Sequence, residues 1–149
     1  MIYISVFLVL MSVAYTVFRV CQDSYVGLMR NADDITRTLR AGERWRADVR
    51  RASAAPQFAQ DERGPYVIIP QPDGEVAYQL TDGSVWRFTS PDVPPEELVS
   101  RVETSIMEPD PRTRVTGCRW SLELQSRTKG PNVRPRFVFI AVPTTPPAP

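Results

Sequence analysis

Histidine is absent from the 149 residues. That removes the commonest general base, the commonest metal ligand and every triad built on imidazole. Lysine is nearly absent: Lys129 stands alone among 18 basic residues, an arginine bias that reads as GC-rich coding rather than phosphate recognition. Cysteine occurs only at positions 21 and 118, too far apart for a CxxC or zinc spacing, so two unpaired, partly buried thiols are expected. Charge of one sign is also lacking. Eighteen basic residues against 17 acidic give +1, which argues against nucleic acid as a partner. No P-loop, GxGxxG turn, GxSxG elbow, EF-hand or internal repeat is found. With no convergent acid, base and nucleophile, the expectation is a non-enzymatic protein with no cofactor, no metal and no small-molecule substrate.

What is present begins with residues 1–18, MIYISVFLVLMSVAYTVF, which hold no charge, proline or glycine. At 1.5 Å per residue such a helix spans about 27 Å, close to a bilayer's hydrocarbon core. A signal peptide competes, but no basic n-region or small-residue cleavage site is evident. A buried soluble helix also competes, but apolarity on every face is too broad for a one-sided helix. The anchor is therefore assigned to Ile2, Ile4, Val6, Phe7, Leu8, Val9, Leu10, Met11, Val13, Val17 and Phe18, with the bilayer as partner.

Residues 19–55 continue the helix as an amphipathic segment. Proline is absent from Val20 to Ala55. Apolar or small residues recur at Cys21, Leu28, Ile35, Gly42 and Val49, with a second row at Tyr25, Ala32 and Leu39. The opposite face carries a mixed set of charges, including Arg30, Asp33, Asp34, Arg37 and Arg40. Gly42 and Arg46 interrupt the stripe as a coiled-coil seam. The stripe is expected to lie on a sheet of its own chain, with Leu28, Ile35, Leu39 and Val49 as the helix-to-sheet packing residues. Pro56 is expected to stop the helix. Trp45, among arginines, is read as marking a contact surface.

Composition changes at residue 56, where proline, glycine and β-branched residues take over. The spacing predicts strands at 66–69, 76–80, 85–88, 115–124 and 137–142, with Asp82-Gly83 as a hairpin turn and Asp73-Gly74 as turn chemistry. Trp86 and Trp120 are expected to pack in the core. Pro94-Pro95-Glu96-Glu97 reads as the opening of a short helix. Asp61-Glu62 and Glu108-Pro109-Asp110 read as solvated loop charges. Residues 56–143 form the expected β-rich head and 144–149 a proline-rich tail. The fold class is α+β: a long N-terminal helix packed on a small antiparallel sheet.

An apolar N-terminal segment running into an amphipathic helix, then a loop and a small antiparallel sheet, resembles type IV pilin-like proteins. The stretch Ala47-Asp48-Val49-Arg50-Arg51-Ala52 is similar to the helix end of minor pseudopilins of type II secretion. Asp73 to Leu80 followed by Gly83-Ser84-Val85-Trp86-Arg87 is similar to their strand, turn and next strand. That family has a short basic leader ending in Gly and an early Glu. Neither is found ahead of Asp23, the first acidic residue, which points toward a tip, initiating or accessory role. The resemblance implies a structural subunit of the inner (cytoplasmic) membrane, single-pass, with its head outside the cytoplasm. Its implied partners are other pilin-like subunits or membrane assembly proteins. Eight arginines between positions 19 and 51 favour the opposite sidedness. A membrane-tethered binding or adaptor module that forms no filament is the alternative.

Overall fold

The computed structural model describes residues 2–111, 116–126 and 134–144. One helix, α1 (Ile2–Arg50), precedes eight strands: β1 (Gln57–Asp61), β2 (Gly64–Gln71), β3 (Gly74–Thr81), β4 (Ser84–Phe88), β5 (Glu96–Val99), β6 (Val102–Pro111), β7 (Thr116–Leu124) and β8 (Arg136–Ala141). The strands form two antiparallel meanders, β1-β2-β3-β4-β5 and β6-β7-β8. The class is α+β. The chain divides into two compact units, Met1–Ile35 and Thr36–Pro149.

The first unit is helix. Its best apolar window has a mean hydropathy of 2.0 and none of it is buried.

In the second unit the last turns of α1 bury Thr38, Ala41, Gly42, Trp45, Asp48 and Val49, and Ala52 follows just past the helix end. Steps of three and four place all seven on one face. A strict seven-residue step drifts about 20° per heptad from a straight helix, so the expected double row slides off this face. Val49 is buried, whereas Ile35 and Leu39 are 41% and 48% exposed and do not form helix-to-sheet packing. The side chains of Leu28 and Ile2 lie outside the described residues. Trp45 is 1% exposed: it is a core residue and not a contact surface. The helix ends at Arg50, six residues before Pro56.

Both sheets contribute to one core. Val67, Ile69, Val76, Tyr78, Val85 and Val99 come from the first sheet, and Val102, Cys118, Trp120, Leu122, Leu124, Phe139 and Ala141 from the second. Alternation explains the choice: Trp120, Leu122 and Leu124 face in, as do Val67 and Ile69. Trp86 is only partly buried. Thr81 pairs with Ser84 around Asp82-Gly83, whose φ values of 52° and 71° are the left-handed pair of a tight hairpin turn.

Three local expectations are corrected. Glu96 to Val99 is a strand, not a helix start: Pro95 holds Pro94 extended, and Glu96 and Glu97 pair with Arg87 and Trp86. Glu108 and Asp110 belong to β6, with Glu108 directly opposite Arg119, whose Nη2 donates to Asp110 Oδ1 at 3.1 Å. Asp61 is no idle loop charge. Its Oδ1 accepts from the backbone N–H groups of Arg63 and Gly64 and from Gln79 Nε2, closing the β1–β2 hairpin. The expected strand start at 115 and all but the first residue of the 144–149 tail lie outside the described residues.

A Cβ on Gly42 would come within 2.1 Å of the Phe139 ring, which is itself buried. Gly42→Ala is expected to lower stability by about 1–3 kcal/mol. Ile35→Asp, on an exposed side chain, is expected to leave it within about 0.5 kcal/mol. Urea unfolding followed by tryptophan fluorescence measures both.

Candidate functional site: an uncovered apolar helix and a buried ionic node

In the first unit, Ile4, Val6, Phe7, Leu8, Val9, Leu10, Met11, Val13, Val17 and Phe18 are 53–64% exposed. They come from every face of the helix, so no rotation hides them. At the end of this run Arg19 Nε donates to the Tyr15 hydroxyl at 3.1 Å, and its guanidinium lies 5.6 Å from that ring's centroid. Thr16 Oγ1 donates to the Ser12 carbonyl at 2.9 Å, so this hydroxyl is satisfied within the helix itself. Beyond it Tyr25, Val26 and Met29 are exposed as well. Cys21 is free and exposed.

In the second unit the most polar buried arrangement centres on Asp48, 7% exposed in the last full turn of α1. Tyr78 Oη donates to its Oδ2 at 2.7 Å, and Arg87 Nε donates to the same oxygen at 2.8 Å. Gln71 Nε2 donates to the Asp48 backbone carbonyl at 2.7 Å, meeting an acceptor that the helix end leaves open. Tyr78 and Arg87 stand directly opposite each other on β3 and β4, so adjacent strands deliver both donors to one carboxylate. Burial, then the charge of Asp48 beside it, pushes the Tyr78 phenol well above its ordinary value. Burial works against the Arg87 charge, but the hydrogen bond and charge of Asp48 outweigh it and raise the Arg87 pKa. An open cleft of about 190 Å³ reaches this node, lined by Arg51, Asp73, Glu75 and Thr89 among others. A neighbouring cleft of about 440 Å³ lies against Ile68, Ala77, Phe88 and Pro91. Among the described residues no cluster of three or more His, Cys, Asp or Glu side chains is placed to hold a metal ion. Burial and nearby Asp110 push the Cys118 thiol up to about 11.

Sequence reasoning missed the node. Asp48 was visible only as part of a family-like helix ending, and an acidic residue among arginines gave no sign of burial. The available signal was phase: Asp48 falls on the same face as Ala41, Trp45 and Ala52. No family model, curated protein or solved structure matches this chain.

The node gives two expectations. Asp48→Ala strands the Arg87 charge, whose side chain is 12% exposed, and is expected to cost about 3–5 kcal/mol. A phenol whose pKa is raised by folding stabilises fully below its unfolded value of about 10 and loses that contribution as pH climbs. Stability is therefore expected to fall above pH about 10, and less steeply in Tyr78→Phe, in urea titrations across the alkaline range.

Proposed function

We propose that the chain is a non-enzymatic structural subunit, pilin-like or minor pseudopilin-like, held in the inner membrane by α1. It assembles there with other pilin-like subunits of a secretion or pilus system, and its head lies outside the cytoplasm. One observation carries the reading. The helix that starts in an uncovered run, apolar on all faces, ends as one wall of a packed antiparallel β head. Water-exposed aliphatic surface on that scale is unfavourable by roughly 25 cal/mol per Å², so the run calls for an apolar surrounding. Lipid supplies it first, and the equivalent helices of neighbouring subunits supply it on assembly. In the head the buried Asp48 carboxylate is held by Tyr78 and Arg87, a bonding pattern that serves to fix the helix on the sheet.

Leu8→Arg is expected to release the protein from the membrane pellet after carbonate washing; unchanged retention would sink the anchor. For sidedness, Cys21→Ser and Cys118→Ala are combined with Val93→Cys, an exposed site in the β4–β5 loop. Labelling of intact cells by an impermeant maleimide is expected. Labelling only after lysis would place the head in the cytoplasm and leave the tethered adaptor as the better reading. Single cysteines at positions 5–17 are expected to give oxidative dimers for a subunit and none for an adaptor.

A further inference from the structure

The edge of β8 has a main-chain arrangement that the fold leaves unused. Leu124 N–H donates to the Pro135 carbonyl at 3.0 Å, which makes 124/135 a hydrogen-bonded antiparallel pair. The register then makes 122/137, 120/139 and 118/141 the following such pairs. Arg136, Val138 and Ile140 consequently turn their N–H and C=O groups away from β7. β8 is the last strand of its sheet, and among the described residues none of these groups meets a partner.

The other three edges are guarded. β5 follows Pro94-Pro95 and opens with Glu96 and Glu97. β6 contains Pro109 and Pro111 and shifts register between Val102 and Thr104. β1 is mostly exposed, carries Gln57 and Gln60 and ends on Asp61. β8 has one charge, at its first residue, and then Phe137 to Ala141 without charge, proline or glycine. Unprotected edges of this composition are templates for strand addition.

We propose that the β8 edge pairs with β8 of a second copy, antiparallel about Val138, joining two three-stranded sheets into one. The edge complements itself. Val138 meets Val138 of the second copy, half-exposed in the single chain, and Arg136 meets the apolar Ile140. The two Arg136 groups stand about 14 Å apart along the strands, beyond the screening length at ordinary ionic strength. All three outward residues exchange backbone bonds, and no like charges face each other. A heterologous strand has no such match built into the edge. The pairing stands on the second sheet alone and holds whether or not α1 lies in lipid.

The test uses the full chain in detergent micelles, in a Cys21→Ser, Cys118→Ala background. Val138→Cys is expected to cross-link to dimer with a short bismaleimide several-fold more than Ile106→Cys, equally exposed on the opposite edge strand. Val138→Pro removes an outward N–H that β7 does not use, and Ile140→Lys sets a charge on the edge. Each is expected to convert the dimer to monomer by light scattering with the melting temperature nearly kept, while Val138→Thr stays dimeric. If Val138→Pro fails to fold, Ile140→Lys decides. A monomeric parent, equal cross-linking at 106 and 138, or a dimer that survives Ile140→Lys would overturn the proposal.

Discussion

Trp120 is the residue on which the head depends. Its ring lies 5.8 Å from Trp45, 6.2 Å from Tyr78 and 5.5 Å from Phe139, all at tilted angles. Those contacts come from α1, from the first sheet and from the second sheet. One side chain thus joins three elements that backbone hydrogen bonds do not unite into a single sheet. Tilted aromatic pairs at this spacing add to burial, and a ring this large leaves no small residue able to fill its place. Trp120 also has its one polar atom satisfied, because Nε1 donates to Ser105 Oγ at 2.9 Å. The hydroxyl it uses is on β6, so the bond ties neighbouring strands as well as meeting a buried donor.

A second constraint follows from that centre. Tyr78 is fully buried with its ring tilted against Trp120, and its hydroxyl reaches the helix. Asp48 receives it, and Arg87 from the next strand compensates the carboxylate. A buried ion pair stabilises little relative to an apolar replacement, but each member is costly to lose alone. Its effect is on geometry: with its oxygen held by two strands, α1 cannot rotate or slide on the sheet without breaking both bonds. Gly42 works in the same direction, since the Phe139 ring occupies the place where any Cβ would be. The helix is thus fixed in phase by one polar contact and one close approach, and neither is a feature that hydrophobic periodicity records.

That is why the sequence is legible to a definite depth. The long helix, the sheet-bearing second part, the Asp82-Gly83 turn and the core place of Trp120 all follow from strong local rules: absence of proline, period-two alternation, positive φ at Asp-Gly. The helix phase does not. Thr38 and Asp48 sit on the buried face, Leu39 and Ile35 on the exposed one, and averaging apolar residues therefore points to the wrong side. Trp45 was obscured by Arg44 and Arg46 beside it, although neighbours in a helix face different directions. Pro94-Pro95 carries the chemistry of a helix start, but the cross-strand partners that make β5 are distant in sequence. β6 was hidden by two prolines that only an edge strand accommodates.

The two halves of α1 satisfy apolar side chains in opposite ways, and the contrast bears on what surrounds the first. From Thr38 onward the helix has a narrow buried face on which the one buried charge, Asp48, is paired with Arg87, and the other charged side chains stay at least partly exposed. A chain able to resolve its polarity to that degree has no folding reason to leave residues 4–18 apolar on every face. Those residues stabilise nothing inside their own unit, since none of the window is buried. Their composition is explained by what lies outside the chain, and it must be apolar around the full circumference, which a single protein groove is not. The run also ends abruptly at Arg19, whose side chain folds back onto the Tyr15 hydroxyl and ring. An aromatic with a polar tip beside a cation suits a boundary between hydrocarbon and headgroups, where the ring stays apolar and the charge stays hydrated.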